Sequence, residues 1–222
     1  MKQEVRYLLA SVMLAILLAA GPASHAAGKA TLTLIGHASM KIRTQDGIVI
    51  YVDPYYKGDY SEEADIILVS HEHSDHNKIE MCRQKAGCKI LRVKDTINKD
   101  GSYNSYEFFG VKIEPVPASN KNHPISSTNG FLISFDGLVV YHAADTSMLP
   151  QMAGLKSRGI DHAFFPIDGQ YNMNAEEAME CAKLIGARHN IPMHYFNADV
   201  KAFKPDNLLI IGYGETIELK AD

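Results

Sequence analysis

Six consecutive residues, His71-Glu72-His73-Ser74-Asp75-His76, place four side chains able to bind metal directly after the apolar run Ile66-Ile67-Leu68-Val69. Side chains alternate along an extended chain, so a His-x-His pair presents two imidazoles on one side. A turn after the pair swings Asp75 and His76 to a neighbouring point, and one segment can then feed two cations a few ångströms apart. Four such groups gathered beside a buried strand are costly unless a cation holds them. Mixed imidazole and carboxylate donors suit divalent metals, zinc foremost, with manganese or iron as alternatives.

The elements that position this segment follow from hydrophobic pattern and turn chemistry. Strands are expected at Thr31 to Ile35, Met40 to Thr44 and Ile48 to Asp53, the last two joined by the hairpin signal Gln45-Asp46-Gly47. Ala64 to Ser70 reads as a strand buried on both faces, with a helix following from about Asp75 to Lys85. A second series of strands is expected at Lys89 to Val93, Phe108 to Val116, Gly130 to Phe135 and Leu138 to His142, with Asp136-Gly137 as a tight turn. Helix is expected near Gln151 to Arg158 and, most clearly, from Asn174 to Ile185, where Asn174 can cap and Glu177 holds the reciprocal capping-box position. Strands at Ile160 to Ile167, before His194 and around Glu215 to Leu219 complete the chain. Two groups of strands punctuated by helices give an α/β fold of sheets covered by helices. No linker or repeat divides the chain after residue 28, so residues 27–222 are expected to form one domain.

The motif resembles the signature of the metallo-β-lactamase superfamily, His-x-His-x-Asp-His after a core strand. Beyond it, the sequence is similar to the branch of small metal-dependent hydrolases related to the ascorbate-phosphate lactonases. The marks are Gly36-His37-Ala38-Ser39, Asp53-Pro54, Tyr141-His142-Ala143-Ala144-Asp145-Thr146, Pro166-Ile167-Asp168-Gly169 and Pro192-Met193-His194-Tyr195. The resemblance implies a four-layer αβ/βα sandwich of two mixed sheets covered by helices. It also implies that His71, His73 and a later histidine bind one metal, that Asp75, His76 and a distal histidine bind the other, and that an aspartate bridges both. Asp145 takes the bridging place and His194 the distal one. His123, the only histidine between His76 and His142, is assigned as the third ligand of the first metal. Two positions depart from the family pattern: Ala144 stands where relatives usually have Gly, and Asp168 stands in a Pro-Ile-Gly-Gly neighbourhood.

Residues around this set carry two readings each. Asp53 either accepts the second N–H of a ligand imidazole or makes an Asp-Pro turn. His37 and His142 read as packed or supporting histidines rather than ligands, and His162 and His189 as structural or surface groups. Tyr195 and Asn197 either touch substrate or pack a loop, and Tyr55 and Tyr56 either line a mouth or cover core.

Two divalent cations about 3.5 to 4 Å apart lower the pKa of a shared water, supply hydroxide near neutral pH and stabilise charge on the attacked group. Asp75 would orient that nucleophile or shuttle its proton. The resulting expectation is hydrolysis of a small ester, lactone or phosphate-bearing molecule. Its rivals are a phosphodiesterase acting on nucleotides or phospholipids, and a metal-binding protein without turnover. Oxygen-dependent redox chemistry is disfavoured, because di-iron relatives commonly carry Glu where this chain has His73.

Lys2 and Arg6 precede an apolar run from Tyr7 to Ala20, followed by Gly21, Pro22 and small residues, which is the layout of a secretory signal peptide. Cleavage is expected after Ala26, giving a periplasmic or secreted domain with no stable membrane anchor. The chain of 222 residues carries a net charge of -4. Loss of residues 1–26 removes a net +1, and so acidic a domain is a poor partner for nucleic acid. A small-molecule substrate is expected, and the oligomeric state is left open. Cys82, Cys88 and Cys181 are not at zinc-finger spacing; a Cys82–Cys88 disulfide and three buried thiols are both compatible with export.

Overall fold

The computed structural model describes residues 28–220. The leader-like segment lies outside the described residues. Ile66 and Leu68 enter one hydrophobic core, whereas Ile67 and Val69, on the opposite face of the same strand, enter a second. This alternation explains why the run is uninterrupted by polar residues: both faces of the strand are covered.

That strand, β4 (Ala64–Leu68), lies in a six-stranded sheet with β1 (Thr31–Gly36), β2 (Ser39–Arg43), β3 (Val49–Val52) and β5 (Gln84–Leu91). The second sheet contains β6 (Tyr106–Phe108), β7 (Val111–Pro117), β8 (Asn129–Phe135), β9 (Leu138–His142), β10 (His162–Pro166) and β11 (His189–Met193). The chain then returns as β12 (Glu215–Glu218) to the edge of the first sheet beside β1. The strand orders are β12-β1-β2-β3-β4-β5 and β11-β10-β9-β8-β7-β6. Each sheet is mixed: β1, β2 and β3 pair antiparallel while β3, β4 and β5 pair parallel, and β6 to β9 pair antiparallel while β9, β10 and β11 pair parallel. The larger core draws Leu32, Leu34, Met40, Ile42 and Ile66 from the first sheet, and Phe131, Ile133, Val140 and Phe164 from the second.

Turn chemistry sets the registers. Gly47 (φ 82°) closes the β2–β3 hairpin, and Asp136 and Gly137 (φ 52° and 77°) supply the two left-handed residues of the β8–β9 turn. Helix α2 (Ala175–Ile185) begins as predicted, with Asn174 Oδ1 accepting the Glu177 amide at 2.9 Å. The reciprocal half of the capping box is absent, because Glu177 Oε1 instead accepts from the Met148 amide.

Three expectations need correction. Residues 75–85 do not form an α-helix; the His76 amide turns back to the His73 carbonyl, the Lys78 amide is taken by Pro54 O, and only a 3-10 turn at Ile79–Met81 remains. The predicted strand at 89–93 starts earlier, at Gln84, and Val93–Thr96 is a short helical turn, α1. The predicted helix at 151–158 is a 3-10 segment, Pro150–Arg158. The outer face of the first sheet is therefore covered by Tyr60, Ile79, Met81 and Cys82 rather than by a long helix. Cys82, Cys88 and Cys181 are all free thiols.

Candidate metal centre

His37 follows β1, Asp53 follows β3, the His71–His76 segment follows β4, His123 follows β7, Asp145 follows β9, Asp168 follows β10 and His194 follows β11. These strands run in one direction, so their carboxyl ends deliver every one of these residues to the same edge of the sandwich.

Asp53 organises the first sheet's contribution from a fully buried position. Its Oδ1 accepts the Ser70 amide at 2.7 Å, and its Oδ2 accepts the Ser70 hydroxyl at 2.7 Å and His76 Nδ1–H at 2.8 Å. Having donated its hydrogen, Ser70 Oγ accepts from His71 Nδ1 at 3.0 Å. In the second sheet, His194 Nδ1 donates to Asp168 Oδ2 at 2.9 Å and His123 Nδ1 to Asn120 Oδ1 at 2.7 Å. A carboxylate only accepts, so the nitrogen facing it carries the hydrogen. His71, His76, His123 and His194 are thereby left with Nε2 as the atom each turns inward.

Three of those four inward nitrogens lack hydrogen-bond partners, and His123 Nε2 meets only His73 Nδ1. His71 Nε2, His76 Nε2, His194 Nε2 and Asp145 Oδ1 are all buried and unpaired. His76 Nε2 and His194 Nε2 each lie 3.4 Å from Asp145 Oδ1, while His123 Nε2 lies 3.3 Å from Asp145 Oδ2 and 3.1 Å from His73 Nδ1. Donor atoms within 4.8 Å of one another form three overlapping groups: His71, His73 and His123; His71, His76 and Asp145; and His37, Asp75, His76 and His194. Asp145 thus reaches toward both halves. Buried lone pairs aimed at one another are unfavourable unless a cation lies between them, so the residues fit a divalent metal on their own geometry.

The electrostatics of the donor set point the same way. Burial, reinforced by His76, pushes His71 down to about 3, and burial also lowers His123. Both imidazoles are therefore neutral, as ligation requires. Burial opposes ionisation of Asp53, yet the charge and hydrogen bond of His76 outweigh it and hold the carboxyl at about 2. Conversely, burial disfavours charge on His76, but Asp145 and Asp53 overcome it and raise the ring to about 9. Asp145 is lowered by the surrounding histidines, and Asp75 by the hydrogen bond from His37, in each case against the burial that would raise it.

All seven residues assigned from the motif and the resemblance, His71, His73, Asp75, His76, His123, Asp145 and His194, converge here. His123 is buried and points inward. His37, read as a supporting residue, stands in the Asp75–His76–His194 group, with Nε2 3.3 Å from Asp75 Oδ2 and its ring 3.6 Å from that of His194. Asp53 does both things considered for it, since Ser39 Oγ also clasps its turn by donating to Asp53 O and accepting from the Tyr55 and Tyr56 amides. His142 is a strut whose Nε2 donates to Ala38 O at 2.9 Å. His162 and His189 pack with tilted rings at the N-terminal ends of β10 and β11, away from the site. Tyr195 stacks on Tyr213, away from the site, and Asn197 is exposed. Sequence reading missed the roles of Ser70, Asn120 and Asp168 in orienting rings. It also missed Tyr171 and Phe196, which line a cavity of about 400 Å³ together with His73, Asp75, Asn122, His123, Asp145 and His194.

The backbone around the centre is strained. His37, Asp53, Ala144, His194 and Phe196 have φ of 56°, 45°, 57°, 47° and 41°. Non-glycine residues hold such angles only where the surroundings over-determine them. Gly36, at φ 149°, has a different constraint: a Cβ there would sit 2.2 Å from the Tyr56 ring.

Comparison with known proteins agrees with this geometry. The family described as "Beta-lactamase superfamily domain" matches residues 31–194. A metal-dependent hydrolase of Thermococcus onnurineus is 32% identical over 221 residues, covering 83% of this chain and 97% of its own. One from Pyrococcus furiosus is 30% identical, covering 85% and 99%. Among solved structures, a chain from Parabacteroides distasonis described as a candidate metal-dependent hydrolase superposes with a TM-score of 0.71 at 32% identity, covering 82% of this chain and 92% of its own. A metallo hydrolase from Ignicoccus hospitalis shares the fold, with a TM-score of 0.67 at 21% identity and coverage of 87% and 100%. The chain therefore belongs to the β-lactamase superfamily domain family and is a metal-dependent hydrolase of the metallo-β-lactamase fold.

Proposed function

We propose that this hydrolase cleaves a small ester or lactone outside the cytoplasm, using two divalent cations, zinc foremost. His71, His73 and His123 would hold one, Asp75, His76 and His194 the other, and Asp145 would span both. The observation that carries this reading is the set of four buried, unpaired atoms, on His71, His76, His194 and Asp145, behind an open cavity. Two bound cations would lower the pKa of a water and neutralise charge on the attacked carbonyl.

The chain's own residues supply the rest. Asp75 lines the cavity, and its Oδ2 is held by His37, so its carboxylate is aimed to take the proton of the attacking water. Asp53, Asp168 and Asn120 fix the three rings they touch, which keeps the inward lone pairs in place without further rearrangement. In the hydrolysis, the water oxygen bonds to the acyl carbon, the acyl–oxygen bond breaks, and the water's proton passes through Asp75 to the departing alkoxide. Export is supported by the charged, then apolar, then small-residue order of residues 1–26.

Turnover on a panel of generic esters, lactones and phosphodiesters, before and after chelation and metal return, tests the reading. Ester or lactone hydrolysis that chelation abolishes and metal restores supports it. Turnover confined to phosphodiesters, or tight metal binding with no turnover on any member, overturns it.

A further inference from the structure

We propose that the cavity selects an uncharged substrate carrying a planar ring, received by Phe196 and Tyr171 while its scissile carbonyl faces Asp145. This rests on the hydrolase reading above and names the substrate class of the same site.

The wall beside His37 and His194 is aromatic, and its backbone is held at a strained angle. Phe196 is 55% exposed and Tyr171 47% exposed, yet both line the cavity. A single exposed aromatic needs no explanation, but Phe196 is held in a left-handed conformation (φ 41°) that a bulky residue rarely adopts. His194, two residues earlier, is also left-handed (φ 47°). Between them, Tyr195 turns its ring the other way onto Tyr213. This backbone path folds Phe196 back over the centre, with its ring 4.9 Å from His37, 5.0 Å from His194 and 6.0 Å from Tyr171. Strain maintained so that an apolar ring stays exposed beside catalytic groups is the pattern expected of a ligand contact.

Tyr171 is fixed by the same carboxylate that orients His194. The Tyr171 amide donates to Asp168 Oδ1 at 2.6 Å while His194 Nδ1 donates to Asp168 Oδ2. The Tyr171 backbone and the His194 ring are therefore both placed by one side chain. Asn122 ties the opposite loop to this wall through Tyr171 O.

The charge of the lining decides what kind of molecule the wall receives. His73, Asp75, Asn122, His123, Asp145, Tyr171, His194 and Phe196 include no lysine or arginine, and neither do the residues of the adjoining cleft toward Val93 and Thr128. A phosphate or carboxylate remote from the reacting carbonyl calls for paired N–H donors. Arg92, at the edge of that cleft's segment, is engaged by both carboxylate oxygens of Glu72. Lys121 neighbours Asn122 in the chain but does not line the cavity. A flat, uncharged ring suits the Phe196–Tyr171 wall instead.

The test uses the full chain reloaded with zinc and two hydroxamates that differ only in the group they present to the wall, titrated by calorimetry. Benzohydroxamate should bind about tenfold more tightly than acetohydroxamate. Phe196→Ala should erase that difference while leaving acetohydroxamate affinity and zinc content unchanged. Phe196→Gly, which suits the positive φ, should do the same if the alanine variant folds poorly. Equal affinity for the two ligands in the wild type, or an equal loss for both in the variants, overturns the proposal and leaves the hydrolase reading intact. Tighter binding of glycerol 3-phosphate than of benzohydroxamate, lost in Lys121→Ala, also overturns it. Failure of both hydroxamates to bind zinc-loaded protein overturns the metal-centre reading together with this proposal.

Discussion

His194 Nδ1 donates to Asp168 Oδ2 across 2.9 Å, between residues that follow two adjacent parallel strands, β11 and β10. The bond fixes the tautomer of His194, and the other Asp168 oxygen gathers the amides of Gln170 and Tyr171. One carboxylate therefore orients a metal-facing ring and shapes the loop that lines the cavity.

Asp168→Asn should retain much of the loop but weaken the hold on His194, since an amide oxygen is a weaker acceptor than a carboxylate. Loss of such an orienting partner typically costs about 10- to 100-fold in metal affinity or activity. The expected result is a drop of that size in affinity for the second metal, measured by chelator competition, with thermal stability changed little. Unaltered affinity would remove Asp168 from the site's machinery.

The metal-facing residues were legible because their types are rare and their spacing is short: His71, His73, Asp75 and His76 follow a strand whose apolar run is unmistakable. Their supporting partners were not. Ser70 and Asn120 are common polar residues whose importance comes from hydrogen bonds made only after folding. Asp168 stands out in the sequence, but its link to His194 depends on β10 and β11 lying side by side. The predicted helix after Asp75 failed for a related reason. Its amides are claimed by His73 and Pro54, contacts that no local periodicity encodes. Phe196 carried no signal at all, because a lone phenylalanine in a loop ordinarily reads as core.

His71→Ala and Asp145→Ala should each remove metal and activity together, because His71 belongs to two of the donor groups and Asp145 reaches toward both halves. His123→Ala should instead leave roughly one metal per chain with a large fall in rate. Plasma emission analysis of dialysed protein reads all three. Wild-type occupancy in Asp145→Ala would contradict its bridging position.

Metal uptake should release protons, and metal-free protein should lose stability as the pH rises above neutrality. His76 is raised from 6.5 to about 9 by Asp145 and Asp53 after they overcome its burial. Its charged form therefore stabilises the metal-free fold fully below about pH 6.5, and that contribution is lost as pH rises through 9. The loss should be on the order of 3 kcal/mol. A bound cation replaces the proton at Nε2, so the metal-loaded protein should show no such decline over the same window. Thermal scans from pH 6.5 to 9 with and without metal, and calorimetry in buffers of different ionisation enthalpy, measure both effects. Parallel pH profiles for the two forms would show that His76 is not the group displaced.

Ala144 offers a case where two effects of similar size oppose each other. It is fully buried at φ 57°, immediately before Asp145. Ala144→Gly would relieve a left-handed alanine, a gain of about 1 kcal/mol. It would also delete a buried methyl group, a loss of about 0.8 kcal/mol. The net change should fall within about 0.5 kcal/mol of zero, and the Ala144 amide would still donate to His142 Nδ1. Asp145 should then keep its place, with metal content and turnover close to wild type. Ala144→Val is the contrasting variant: a β-branched side chain cannot take this φ without strain, and the buried site has no room for it. It should lose more than about 3 kcal/mol in denaturant unfolding. It should also release metal, since any shift of residue 144 moves Asp145 with it. A valine variant as stable as wild type would show that the turn before Asp145 tolerates another backbone path, and that the strain at Ala144 does not set the carboxylate's position.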